Sequence, residues 1–223
     1  MIDSLKKDYD PLVSTVIDAA LSSPDSYLDT IVSNVLHDSG ISFEDNMFRE
    51  FMYIIRAIDS LRRYHKRCNL IKELANNGIS LDIWGSGWEE LSSLKSCKDH
   101  IRLHGEVNFG EVKYIMSNSK ILINDMPPYL EGSHERVFTA MQCGTVVASD
   151  KSTYLEECFI DDNDMIFYNP ADIKTLAARI RSLLGNPTKA LNIIENSLQS
   201  SADQTWSMRS AAMLNIMNSL PSA

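Results

Sequence analysis

ILINDMPPYLEGSHERVFTAMQCGTVVAS, residues 121–149, is the stretch whose reading decides the fold. It opens on a short apolar run of strand length, Ile121–Asn124, and passes into a long polar loop, Asn124–His134, punctuated by Pro127, Pro128 and Gly132. Helix-period residues follow over Glu135–Cys143, and a second apolar strand over Thr145–Ser149. Strand, loop, helix and strand in this order make a right-handed crossover that places the two strands parallel.

The same rhythm extends in both directions. Ser80–Trp84, Ile101–His104 and Met165–Tyr168 are further short apolar strands, and Phe109–Met116, Thr153–Phe159 and Ile173–Leu184 are helical. Five strands alternating with helices predict one α/β domain, a Rossmann-like, doubly wound parallel sheet with helices on both faces. The tail, Ala190–Leu198 and then Trp206–Leu220, is helical again, and Trp206, Met213 and Met217 are expected to pack back on the core.

Upstream the punctuation disappears. Of nine glycines only Gly40 precedes residue 78, so the first third is expected to be helical. Pro11–Leu21 and Tyr27–Leu36 carry helix-period apolar residues on either side of Ser22-Ser23-Pro24-Asp25, a stop followed by a new N-cap. A longer helix follows Ser42, with Ile54, Ile58, Leu61, Tyr64, Cys68, Ile71 and Ala75 as one apolar stripe, and ends at Asn76-Asn77-Gly78. Its other face carries the basic run Arg62–Arg67, expected to be solvated, with phosphate binding as the alternative. The organisation expected is a helical N-terminal segment over residues 1–77 and an α/β domain over 78–223.

Composition excludes several classes of function. With 21 Lys+Arg against 30 Asp+Glu and a net charge of -9, the chain lacks the positive field that attracts a nucleic-acid backbone. No apolar run is long enough to span a bilayer, and Met1–Lys7 has no apolar signal-peptide core, so a cytoplasmic location is expected. Cys68, Cys97, Cys143 and Cys158 form no CxxC pair and are expected to be reduced, mostly buried thiols. The acidic run Asp161-Asp162-Asn163-Asp164 sits where a turn is needed before the last strand, and Asp and Asn are ordinary turn formers. No metal site is assigned to it.

Ligands of open parallel sheets bind beyond the carboxyl ends of the strands. After the first strand comes Gly85-Ser86-Gly87-Trp88, whose glycines let backbone approach a ligand closely. After the second, His104-Gly105-Glu106-Val107 forms a tight turn with backbone groups suited to the edge of a planar base. After the third, the polar loop delivers Gly132-Ser133 to the N-terminus of the helix that begins at Glu135. Free N–H groups and the positive end of the helix dipole make that a natural diphosphate site.

Gly132 to Val147, together with Ile83–Trp88, Leu103–Val107, Ile121–Asn124 and Phe167–Asn169, resembles the signature of CgeB-like, spore-maturation-type group 1 glycosyltransferases, over about Arg62 to Leu184. The resemblance implies a GT-B fold, two Rossmann-like domains facing across a cleft, with this chain supplying the C-terminal one that binds a nucleoside-diphosphate sugar. It implies that the N-terminal acceptor domain is missing and that the chain is inactive without it. No tightly bound cofactor is implied, and nucleotide binding is expected without an obligatory ion. Related enzymes often carry two glutamates eight positions apart. Glu131 fits the first, near the donor sugar, whereas the second position is Thr139, so the carboxylate contact to ribose is replaced by a hydroxyl. Glu135, one turn earlier, is either its substitute or a solvent-facing first-turn residue. His134 and Arg136 are placed to meet the charge that builds on the departing diphosphate. The donor-site assignment is therefore Glu131, His134 and Arg136 for chemistry and Gly85, Gly87, His104, Gly105, Gly132, Ser133 and Thr139 for binding. A non-catalytic binding or interaction module on the same fold is the alternative, and a nucleotide-sugar epimerase ranks last.

Overall fold

The computed structural model describes residues 11–23, 26–41, 45–89, 92–126 and 131–219. Pro24 and Asp25 of the expected turn, the Ser42 cap, loop residues 127–130 and Leu220 lie outside them. The chain divides into two compact units, one formed by residues up to Ile71, the other by Lys72–Met126 with Glu131 onward.

In the first unit, α1 (Pro11–Ser22), α2 (Leu28–Asp38) and the first part of α3 (Asp45–Asn76) share an apolar core of Val13, Val16, Ile17, Ala20, Ile31, Val32, Ile54 and Ile58. Two expectations are corrected here. Arg62 is not on a solvated face. It is 6% exposed, and its guanidinium donates to the carbonyls of Ser23 (3.0 Å) and Ser26 (2.9 Å), satisfying acceptors that the end of α1 and the following turn leave over. Tyr64, placed in the apolar stripe, is exposed, while Leu70 and Leu74 are buried. The stripe holds at both ends, where Ile54, Ile58 and Ala75 are buried, and loosens in the middle, where Leu61, Cys68 and Ile71 are half-buried.

The second unit begins with β1 (Leu81–Ile83), crosses through a 3₁₀ segment (Ser92–His100) to β2 (Ile101–Leu103), and continues with α4 (Phe109–Ser117), β3 (Ile121–Asn124), α5 (Glu135–Gln142), β4 (Val146–Asp150), α6 (Thr153–Cys158) and β5 (Ile166–Tyr168). Helices α7 (Ile173–Leu184), α8 (Pro187–Ser200) and α9 (Trp206–Ser219) complete it. All strand pairs are parallel, as expected. Among the described residues, however, the five strands form two ladders rather than one sheet: β1 with β2 in register Leu81↔Ile101, and β3–β4–β5 in registers Ile121↔Val146 and Ala148↔Ile166. β1 and β2 have three residues each, with Leu81, Ile83 and Ile101 half-buried and Leu103 exposed, which offers little hydrophobic surface to enforce a wider sheet.

The core lies on β4, all five residues of which are buried. Val147 and Phe167 pack with Met116, Val137, Phe138, Ala140, Met141, Leu155 and Phe159 from α4, α5 and α6. The alternate residues of β4 and β5 face the other way, and α8 and α7 touch those two strands with Ile193, Ile173, Leu176 and Ile180 buried. Helices thus cover both faces of the parallel sheet, which explains its continuous apolar strands.

Helix α9 corrects a further expectation. Trp206, Met213 and Met217 are 72%, 65% and 64% exposed, and no residue of α9 is buried. Its apolar residues are scattered around the axis rather than gathered in a stripe, so no single face is available to bury. Its anchor is polar instead. The Arg209 guanidinium lies over the Phe138 ring at 5.0 Å and donates to Gln204 Oε1 (2.8 Å) and Tyr154 Oη (3.1 Å). Of the four free cysteines only Cys97 is buried, and the other three are half-buried, fewer than expected.

Candidate functional site

Helix ends organise the carboxyl edge of β3–β4–β5. Four of the five helices between Phe109 and Ser200 start on a side-chain cap: Asn108 for α4 with a reciprocal capping box to Glu111, Ser152 for α6, Asp172 for α7 and Asn186 for α8. α5 does not. Its N-cap is His134, whose side chain accepts no bond from the first turn. The start of α5, the positive end of the helix, thus lies beside Gly132 and Ser133 without a side-chain cap, and Val137 N–H donates to the His134 carbonyl at 3.1 Å.

The loop leading into α5 rests on a buried polar layer. Asn124 and Ser149 are fully buried, and Asn124 Nδ2 donates to Ser149 Oγ at 2.8 Å. The Tyr168 hydroxyl donates to the Asn124 carbonyl at 2.9 Å. Burial, with the charges of Asp150 and Asp125, pushes the Tyr168 hydroxyl far above the ordinary phenol range, so it remains a donor at any working pH. The Asp150 carboxylate accepts the Met126 N–H at 2.7 Å, and Ser152 Oγ donates to the Gly132 carbonyl at 2.6 Å.

The edge of β1–β2 is built differently. Gly85 and Gly105 have φ of +118° and +72°, values that a side chain would strain, and they join through Gly85 N–H to the Gly105 carbonyl at 2.6 Å. His104 stacks on Trp84 with ring centroids 4.5 Å apart and planes 14° from parallel, and its Nε2 lies 2.6 Å from Asp82 Oδ1. Arg102 forks onto the same carboxylate at 2.8 and 2.6 Å. The Arg102 hydrogen bond, with a smaller one from His104, holds the Asp82 carboxyl down at about 2 against its partial burial. Ser86 Oγ donates to Glu106 Oε1 at 2.6 Å, which ties the two turns together a second time.

The sequence-assigned residues thus fall into two hydrogen-bonded groups. Gly85, His104 and Gly105 form the first, with Gly87 (φ +84°) in the same turn. Gly132, Ser133, His134, Arg136 and Thr139 surround the start of α5, where Arg136 Nη2 lies 3.4 Å from His134 Nε2 and Thr139 Oγ1 donates to Glu135 Oε1 at 3.3 Å. Glu131 is exposed in the turn before Gly132. A cleft of about 520 Å³ runs along the outer side of α5, lined by Ser133, Glu135, Thr139 and Gln142 and by Lys113, Trp206 and Arg209. Glu135 is exposed and lines this cleft beside Thr139. Asp82, Asn124, Asp150 and Ser152 were missed. Ser152 alone left a signal, as a serine immediately before a helix-period run.

An open parallel α/β unit with helices on both faces is the architecture of the nucleotide-binding folds, whose ligands sit at the carboxyl edge of the strands. Residues 62–215, more than half of the chain, match the family described as glycosyl transferase-like, and the chain belongs to that family. No curated protein matches it in sequence. Among solved structures it is similar to HepE of Anabaena in complex with UDP (TM-score 0.56, 16% identity, covering 68% of this chain and 44% of that one). It is also similar to the sucrose-phosphate synthase of Thermosynechococcus elongatus (0.57, 18%, 68% and 41%) and to TarM (0.53, 16%, 70% and 32%). These likenesses establish the fold, the Rossmann-like architecture of one half of a GT-B glycosyltransferase. The chain spans less than half the length of each of these proteins. No helix of the described residues is long and apolar enough to cross a membrane.

Proposed function

We propose that the unit from Lys72 onward is the donor-binding half of a CgeB-like glycosyltransferase, holding a nucleoside-diphosphate sugar at its strand carboxyl ends. The observation that carries this reading is the start of α5 directly after Gly132-Ser133, which lacks the side-chain cap that the four other helices between Phe109 and Ser200 carry. The solved HepE complexes with UDP and with UDP-glucose support a uridine diphosphate as first ligand to try.

Transfer breaks the bond between the anomeric carbon and a diphosphate oxygen, and an acceptor hydroxyl takes the sugar as its proton passes to a base. Negative charge grows on the departing oxygen. The α5 helix end, with about half a positive charge, and the Arg136 guanidinium would meet it. Glu131 would lie by the donor sugar, Thr139 by the ribose, and His104 with Gly105 by the base. Helix dipole and guanidinium supply what an ion would, so the nucleotide is bound without a metal. The acceptor and the base come from a second domain outside these residues, in a cytoplasmic enzyme. The isolated chain then binds donor without turnover.

Thr139 favours a second reading, a nucleotide-sugar-binding or interaction module without catalysis, because the family's usual carboxylate is replaced there. Calorimetric titration with a panel of nucleoside diphosphates and their sugars, with and without EDTA, tests the first reading. One clear, EDTA-insensitive binder and no transfer to any acceptor are the expected results. No binding across the panel refutes the donor reading, and robust transfer by the chain alone refutes the half-site.

A further inference from the structure

One short connection, between β4 and α6, holds both Met126 and Gly132. The Asp150 carboxylate, 4% exposed, accepts the Met126 N–H at 2.7 Å. Ser152, 3% exposed, donates its hydroxyl to the Gly132 carbonyl at 2.6 Å while accepting the Leu155 N–H at 3.2 Å. A hydroxyl has one proton to donate and two lone pairs, so Ser152 caps α6 and orients the Gly132 peptide at once.

The orientation has a stereochemical consequence. In a trans peptide the C=O and the following N–H point in opposite directions. Turning the Gly132 oxygen inward to the buried Ser152 therefore turns the Ser133 N–H the opposite way, away from Ser152. We propose that Ser152 and Asp150 are positioning residues of the donor site, fixing the Gly132–Ser133 peptide so that its N–H joins those of α5 in binding the diphosphate. This rests on the donor-site reading above. Neither side chain touches the ligand. Without the Ser152 hydroxyl the peptide plane is free to rotate, and its carbonyl oxygen, which repels an anion, can take the place of the N–H.

The test is calorimetric binding of UDP and of uridine to the full chain and to Ser152→Ala, Ser152→Thr and Asn186→Ala. Asn186→Ala removes a comparable cap from α8 and controls for lost stability. UDP affinity is expected to fall at least fivefold in Ser152→Ala, to recover in Ser152→Thr, and to stay unchanged in Asn186→Ala, with uridine affinity unmoved throughout. If Ser152→Ala does not fold, Ser152→Cys, nearly isosteric but a weak donor, takes its place with a threefold loss expected. Undiminished UDP affinity in a folded Ser152→Ala or Ser152→Cys, or an equal loss for UDP and uridine, overturns the positioning role while leaving the donor site standing. Failure of the unaltered chain to bind any nucleoside diphosphate overturns the donor reading and this proposal with it.

Discussion

The two ladders of the second unit end in opposite ways. At β3–β4–β5 the carboxyl edge is interior: Asn124, Ser149, Asp150 and Ser152 are buried among their own hydrogen bonds, over a core that includes Met141 and Val147 at zero exposure. At β1–β2 the corresponding edge is surface. Its order comes from a stacked Trp84–His104 pair, a carboxylate shared by Arg102 and His104, and glycine turns bonded to each other. A buried polar layer is rigid because each lost partner leaves a desolvated group, whereas an exposed one exchanges its partners for water at little cost. The difference suits the proposed division of labour, since a diphosphate needs N–H groups held in fixed directions, and a flat base can be met by a surface that adjusts.

Core truncation breaks the comparison most directly. Met141→Ala beneath the first ladder is expected to lower stability by about 2–5 kcal/mol, because the closed packing around it leaves a cavity. Leu103→Ala in β2, 44% exposed, is expected to cost under about 1 kcal/mol. Trp84, Trp88 and Trp206 are the chain's three tryptophans and all lie in the second unit, so urea denaturation followed by their fluorescence reports that unit alone. Equal losses in the two variants would remove the asymmetry.

The next effect is on binding. Gly132→Val places a β-branched side chain where backbone must approach phosphate, and losing one or two charge-assisted N–H bonds costs about 1.5–3 kcal/mol each, a tenfold or greater loss of nucleotide affinity. Asp162→Asn is the matched control. Asp162 sits in the left-handed region at φ +60°, which Asn tolerates, pairs with Arg179 and Lys189 at 3.1 Å, and lies before the amino end of β5, whereas the candidate site is at the carboxyl ends. Its affinity should match the unaltered chain. An affinity in folded Gly132→Val equal to that of Asp162→Asn would take the diphosphate away from α5.

Alternating strand and helix signals made every strand and α-helix of the α/β unit legible to within a few residues, because periodicity reports which side of an element is dry, whereas the 3₁₀ segment Ser92–His100 went unread. The site was legible where it depended on backbone, at the glycines and the helix start, since Gly85, Gly105 and Gly132 mark themselves. It was illegible where it depended on partners distant in sequence. Ser152 reaches back 20 residues to Gly132, and Asp82 reaches forward to Arg102 and His104, contacts that no local pattern encodes. Arg62 misled for the same reason, its acceptors lying 36 and 39 residues away. Helix α9 failed differently, because apolar content without periodicity does not say which way a residue faces.

The smallest effect concerns pH and belongs to the exposed edge. Asp82 is held at about 2 in the folded chain, below the roughly 3.9 of an unfolded aspartate. Its pairing therefore stabilises the fold fully above about pH 4, and that contribution disappears as pH falls through the folded value. The carboxylate is 34% exposed and Arg102 64%, so solvent screens the pair, and the loss is expected to stay under about 1 kcal/mol despite the two-pronged geometry. Asp82→Asn should flatten that part of the acid limb when tryptophan fluorescence is followed between pH 5 and about 2, with Trp84 stacked on His104 as the nearby reporter. Salt should shrink the difference between the two proteins, because the ions reach an exposed pair. A difference that persists undiminished in high salt would mean that Asp82 is bound into a dry network like the one at Asp150, and the contrast between the two edges would then be one of position alone.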